Sequence, residues 1–233
     1  MTKNAHQKFK ESILDLIFPR FCCGCNKEGS WLCDDCRSKI TLIQMPTCIR
    51  CHRLNLSGIC PNCRRLLPLT GVAVAGYYAD PILREAIHAY KYEGVKELAP
   101  ILGDLLLSQI QNISWLKNAV LLPIPLHRAR QNSRGFNQAE LLANYLAPHL
   151  ALPIQNKALI RAKSTKPQVD LAPDKRLINI AGAFVVKNNN LIAGKNIILV
   201  DDVITTGATI GECAKSLKAG GAKRIFALAI ARG

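Results

Sequence analysis

From residue 70 onward, short apolar runs alternate with helix-periodic segments, which points to an α/β fold with a mostly parallel sheet. Nine of the ten cysteines crowd into residues 22–63, ahead of that alternation, and mark a small separate module. A chain of 233 residues suits one ordinary domain carrying such an appendage. With 49% hydrophobic and 20% charged residues it has enough apolar surface for a packed core.

The cysteines form an internal repeat. Cys22-x2-Cys25 with Cys33-x2-Cys36 recurs as Cys48-x2-Cys51 with Cys60-x2-Cys63. Each CxxC aims two thiolates at one point, and two such turns make a tetrahedral zinc site. The repeat favours pairing within each unit over a cross-braced arrangement; a disulfide framework is the alternative. Cys23 is surplus and could replace Cys22. Two structural Zn²⁺ ions are expected, because so small a segment needs a staple and all four ligands per site come from the protein.

Before the module, Phe9, Ile13, Leu16 and Ile17 sit at helical spacing, so residues 1–20 read as an amphipathic helix without signal-peptide character. No apolar run is long enough to span a bilayer. An intracellular, cytoplasmic protein is expected, and clustered cysteines in that setting are metal ligands more often than disulfides. Residues 21–66 form the double zinc module and 70–233 the main domain.

Within that domain, 72–79 reads as a strand, 81–92 and 96–113 as helices, and 119–125 as a strand stopped by prolines. The polar stretch "LHRARQNSRGFN" reads as a loop, followed by a helix over 139–150. Residues 157–182 read as a long loop or hairpin with a short helix near Asp174. Strands at 183–187, 197–200 and 224–231 flank a helix over 207–219. Cys213 and His88 are expected to be packed, as are most of Tyr77, Tyr78, Tyr90, Tyr92 and Phe136, though these rings could offer stacking faces to bases.

The strand "IILV" ends in Asp201 and Asp202, and Thr205, Thr206, Gly207, Ala208 and Thr209 follow at a helix start. Working loops of a parallel sheet lie beyond its carboxyl ends. Amides at a helix N-terminus cradle a phosphate, and threonine hydroxyls add donors. The two acids suit sugar hydroxyls, directly or through Mg²⁺. A ribose 5-phosphate satisfies both halves.

"IILVDDVITTGAT" closely resembles the 5-phosphoribosyl pyrophosphate (PRPP) motif of type I phosphoribosyltransferases. That resemblance implies a type I phosphoribosyltransferase-like domain. Asp201 and Asp202 would hold the ribose hydroxyls and Mg²⁺, and residues 205–209 would wrap the 5-phosphate. "LLPIPLHRARQNSRGFNQAELLA" and "KPQVDLAPDKRLINIAGAF", with the cysteine repeat, resemble the ComF (GntX-like) family. It joins zinc ribbons to such a domain. By that resemblance Arg128 and Arg134 are candidate pyrophosphate anchors, while Lys163 and Lys166 lie on a loop over 162–173 that would close on PRPP.

The formal charge is +15, and two four-thiolate zinc sites at −2 each would leave about +11. Between Arg128 and Arg176 nine basic residues face three acids, suited to pyrophosphate or a nucleic-acid backbone. The ComF resemblance implies a competence protein that handles imported single-stranded DNA during natural transformation. An active phosphoribosyltransferase for a nucleobase or related acceptor is the second reading. A zinc-ribbon adaptor for a competence helicase or other DNA-uptake protein is the third. No Ser-His-Asp set, Walker loop or paired catalytic carboxylates are found.

Overall fold

The computed structural model describes residues 19–110, 113, 118–163 and 179–233. The helix expected over 1–20, except its last two residues, lies outside the described residues. So do Lys166, Gln168, Arg176 and the short helix near Asp174.

The main sheet has four parallel strands in the order β1 (Gly71–Tyr77), β6 (Arg224–Arg232), β5 (Asn196–Ile204) and β2 (Ala119–Pro123). Burial on both faces explains why β5 and β6 read as nearly continuous apolar runs. On one face pack α3 (Pro81–Tyr92), α4 (Leu98–Ile110) and α6 (Gln138–Leu150). Leu83, Ile87, Leu102, Leu106, Leu142 and Leu146 meet Ile198, Val200, Phe226 and Leu228 there. The other face takes α7 (Ala208–Ala219) and an antiparallel hairpin of β3 (Leu159–Arg161) and β4 (Phe184–Val186). Ile210, Cys213 and Leu217 meet Ile197, Leu199 and Ala227 on that side.

Three expectations change. The polar stretch after β2 contains a helix, α5 (Arg128–Arg134), started by the His127 ring, which accepts from Ala129 N, and stopped by left-handed Gly135. None of its residues is buried, so it has no apolar stripe to announce it. Strand β5 runs four residues past Val200, because Asp201, Val203 and Ile204 keep pairing with β6. His88 is not packed: its side chain is 51% exposed, with Nδ1 3.2 Å from Glu93 Oε1. Tyr77 and Tyr92 are also exposed, whereas Tyr90, Phe136 and Cys213 are core.

The cysteine module repeats in structure as in sequence. The first CxxC of each unit makes a tight turn whose next residue, Asn26 or His52, is left-handed (φ 59° and 61°). The second starts a short helix: α1 (Asp34–Lys39) after Cys33 and α2 (Pro61–Arg64) after Cys60. The first unit joins the α3–α4 face through Cys22, Leu32, Cys36 and Ile40. The second joins the α7 face through Ile49, Ile59 and Leu67. Between them the chain covers edge strand β1: Ile43 N donates to Ala75 O and Val72 N to Ser57 O. Among the described residues no helix is long and apolar enough to cross a membrane.

Leu67 seats the module on α7. A Cβ added to Gly211 would lie 2.4 Å from Leu67 Cδ2. Gly211→Ala is therefore expected to lower stability by about 1–3 kcal/mol. In a Leu67→Ala background that increment should largely vanish, which thermal unfolding of the four-member cycle measures.

Candidate functional site

Strand alternation sends the two acids to opposite faces of β5. Asp202 points toward α3, where its carboxylate is 4% exposed and Oδ1 lies 2.8 Å from Lys91 Nζ. Its Oδ2 is buried without a hydrogen-bond partner. Lys91 was invisible in the sequence as a site residue, because it sits in the last turn of an amphipathic helix over a hundred residues away. Burial works to lower the Lys91 pKa, but the charge of Asp202 and their hydrogen bond outweigh it and hold it raised.

Asp201 points toward the hairpin and α7. Its carboxylate accepts from the Asp202 amide at 2.9 Å. Burial, with the charge of Asp202 added, pushes its pKa up to about 7 against the pull of Lys91 and Arg161. Arg161 ends β3 and stacks its guanidinium 5.5 Å from the Phe184 ring centroid. Burial lowers its pKa and nearby Arg130 lowers it further. Arg161 thus stands by one crowded carboxylate at the carboxyl edge of the sheet, with Arg130 beside Arg161. Neither Arg130 nor Arg161 stood out in the sequence, since only the fold brings α5 and β3 together.

Beyond Ile204, Thr205 and Thr206 are half-buried and Gly207 turns left-handed (φ 75°) to cap α7. The first bond of α7 runs from Gly211 N to Gly207 O, leaving the amides of the first turn pointing outward. Ala208 N makes a long bond to Thr206 Oγ1 at 3.4 Å. The back of this loop touches the module: a Cβ on Gly207 would lie 3.0 Å from Leu67 Cδ1 and 3.3 Å from Ile49 Cδ1. Thr209 stands in the first turn of α7.

The expected pyrophosphate residues divide. Arg128 is exposed at the start of α5. Arg134 is engaged within the protein, with Nη1 donating to Gln138 Oε1 at 2.5 Å and its guanidinium 5.2 Å from the Tyr92 ring centroid. Asn137 is engaged as well: it caps α6 and its Nδ2 donates to Ile124 O. Lys163 is exposed at the hairpin, with Nζ against Gly182.

The cysteines assemble as two sequential sets, 22/25/33/36 and 48/51/60/63, with all sulfurs of a set within 4.8 Å of one another. Cys22–Cys33, Cys25–Cys33 and Cys51–Cys60 sulfurs are 3.6, 3.7 and 3.6 Å apart. Zinc bonds of about 2.3 Å place tetrahedral sulfurs about 3.8 Å apart, so both sets could hold structural zinc. Burial raises the Cys22 and Cys48 pKa values, but surrounding backbone amides outweigh it and bring both down to about 6, favouring thiolates. Cys23 stands apart from the set, its Sγ donating to Trp31 O at 2.9 Å, and burial pushes its pKa up to about 11.

Residues 96–233 match the phosphoribosyl transferase domain family. That span begins after Lys91 and the cysteine module. Competence protein F of Haemophilus influenzae is 31% identical over 209 residues, covering 86% of this chain and 90% of that protein. Competence protein ComFC of Bacillus subtilis is 31% identical over 203 residues, covering 82% and 79%. DNA utilization protein YhgH of Escherichia coli is 28% identical over 215 residues, covering 83% and 93%.

Two predictions follow from this geometry. Asp201 binds its proton more tightly folded than unfolded, so its charging costs stability as pH rises from 3.8 toward about 7. Asp201→Asn should melt roughly 3–6 °C above the parent at pH 8.5, with the gap narrowing at pH 6; an equal gap at both pH values contradicts the burial. Elemental analysis should find about two zinc ions per chain, and Cys51→Ser should lose one of them.

Proposed function

The chain belongs to the phosphoribosyl transferase domain family and to the group of Competence protein F, ComFC and YhgH, and from that membership we propose that it handles imported single-stranded DNA in the cytoplasm during natural transformation while binding PRPP with Mg²⁺. One observation carries the ligand: an acid pair at the end of β5, followed by a left-handed glycine that opens the amides of α7. Asp201 and the unpartnered Oδ2 of Asp202 supply acceptors suited to a metal ion or ribose hydroxyls. The turn at 205–209 supplies donors for the 5-phosphate. Arg130 and Arg161, with exposed Arg128 and Lys163, supply positive charge for pyrophosphate. Lys166 would join them from the loop over 162–173. Mg²⁺, when bound, neutralises pyrophosphate charge and makes it a better leaving group.

DNA handling rests on what the relatives are called and on the charge of +15. An active phosphoribosyltransferase is the second reading, favoured by the complete acid pair and phosphate turn. A competence helicase or other DNA-uptake protein would find apolar contacts on the second cysteine unit, where Met45, Leu54, Leu56 and Leu66 are exposed.

Calorimetry with PRPP and Mg²⁺ should show saturable binding that Asp201→Asn and Thr206→Val each weaken at least tenfold; unchanged binding in both refutes the site. Single-stranded DNA affinity should fall steeply between about 50 and 200 mM salt. Pyrophosphate release from PRPP on adding a nucleobase would select the enzyme reading.

A further inference from the structure

A cleft of about 290 Å³ lies at the other end of the sheet from β2, between the second cysteine unit and edge strand β1. Its walls are mostly aliphatic: Ile43, Ile49, Val72 and Val74, with Leu56 on the rim. At a liquid-like ~30 Å³ each, it has room for roughly ten non-hydrogen atoms.

Among the described residues one charge faces this space. Arg232, at the end of β6, lines the cleft and is only 6% exposed. Its Nη1 donates to Thr47 Oγ1, and its Nη2 lies 2.6 Å from His52 Nδ1. A guanidinium has no acceptor, so Nδ1 must accept. Both partners are therefore neutral acceptors. Among the described residues no carboxylate pairs with Arg232. A buried guanidinium gives up its hydration, and two neutral acceptors return only part of it.

The charge also selects the anion. Among the described residues Arg232 is the only lysine or arginine lining the cleft, and it offers one positive charge. Among the described residues two of its five N–H groups are engaged, leaving donors suited to two carboxylate oxygens. A phosphate dianion would bring a second charge with no counterpart. We propose that this cleft is a second ligand site, taking a small organic monocarboxylate whose apolar body packs on the aliphatic walls and whose carboxylate pairs with Arg232. The site is distinct from the acid pair on β5 but touches its support: Ile49 lines the cleft and also backs Gly207. An occupant therefore bears on the phosphate turn through one side chain.

Calorimetry of the zinc-loaded chain with benzoate tests this, with benzamide as the neutral match and inorganic phosphate as the alternative anion. Benzoate should bind saturably and at least tenfold more tightly than benzamide or phosphate. Arg232→Gln should remove that preference. Should Arg232→Gln fail to fold, Val74→Phe fills the cleft with Arg232 intact and should also abolish binding. Asp201→Asn, which spares the cleft, should leave benzoate binding within twofold. The proposal is overturned by no saturable benzoate binding, by equal affinity for benzamide, or by benzoate binding unchanged in Val74→Phe.

Discussion

An edge strand presents a row of unpaired backbone groups, and one left open invites pairing with another chain. In this protein β1 is such an edge, and its outer side is covered by the chain that arrives before it. Ile43 and Ser57 take up its hydrogen bonds, and one cysteine unit sits over each face of the sheet. A segment of this size cannot hold that saddle shape by its own apolar contacts. Two metal staples would give it the stiffness the edge requires.

The turn over residues 205–209 inherits this arrangement. Gly207 must be left-handed to open the first turn of α7, and its back faces Leu67 and Ile49 with almost no space to spare. The second cysteine unit therefore acts as a backstop for the turn, although it contributes no donor to it. Behind the acid pair, a single strand sets two environments. Asp202 is neutralised by Lys91 in the α3 core, and Asp201 is left crowded and hard to charge beside Arg161. A metal ion or a ring of sugar hydroxyls would relieve the second acid more than the first.

How much of this could be read in advance depended on sequence distance. The CxxC repeat, the apolar strands and the acid–threonine–glycine turn are each written within a dozen or so residues, and local geometry translates them directly. Lys91, Arg130 and Arg161 reach the site only after long chain reversals, so no local pattern announces them. The α5 helix was hidden for a different reason: without a buried residue it has no periodic stripe, and its cap is a histidine. Arg134 and Asn137 show the reverse difficulty. Their motif is conspicuous, yet Arg134 is tied to Gln138 and Asn137 pins α6 to the loop after β2.

Asn26 and His52 occupy the same left-handed corner of the two cysteine units. Both are exposed, and each amide donates to the carbonyl of the first cysteine of its own unit, Asn26 N to Cys22 O and His52 N to Cys48 O. The His52 ring also reaches Arg232 at the end of β6. The corner is left-handed in both units, and at His52 it also bonds to the main domain. The two halves of the repeat are thus not equivalent: exchanging the residues at 26 and 52 would take the imidazole away from Arg232 and leave its bond to Thr47 in place.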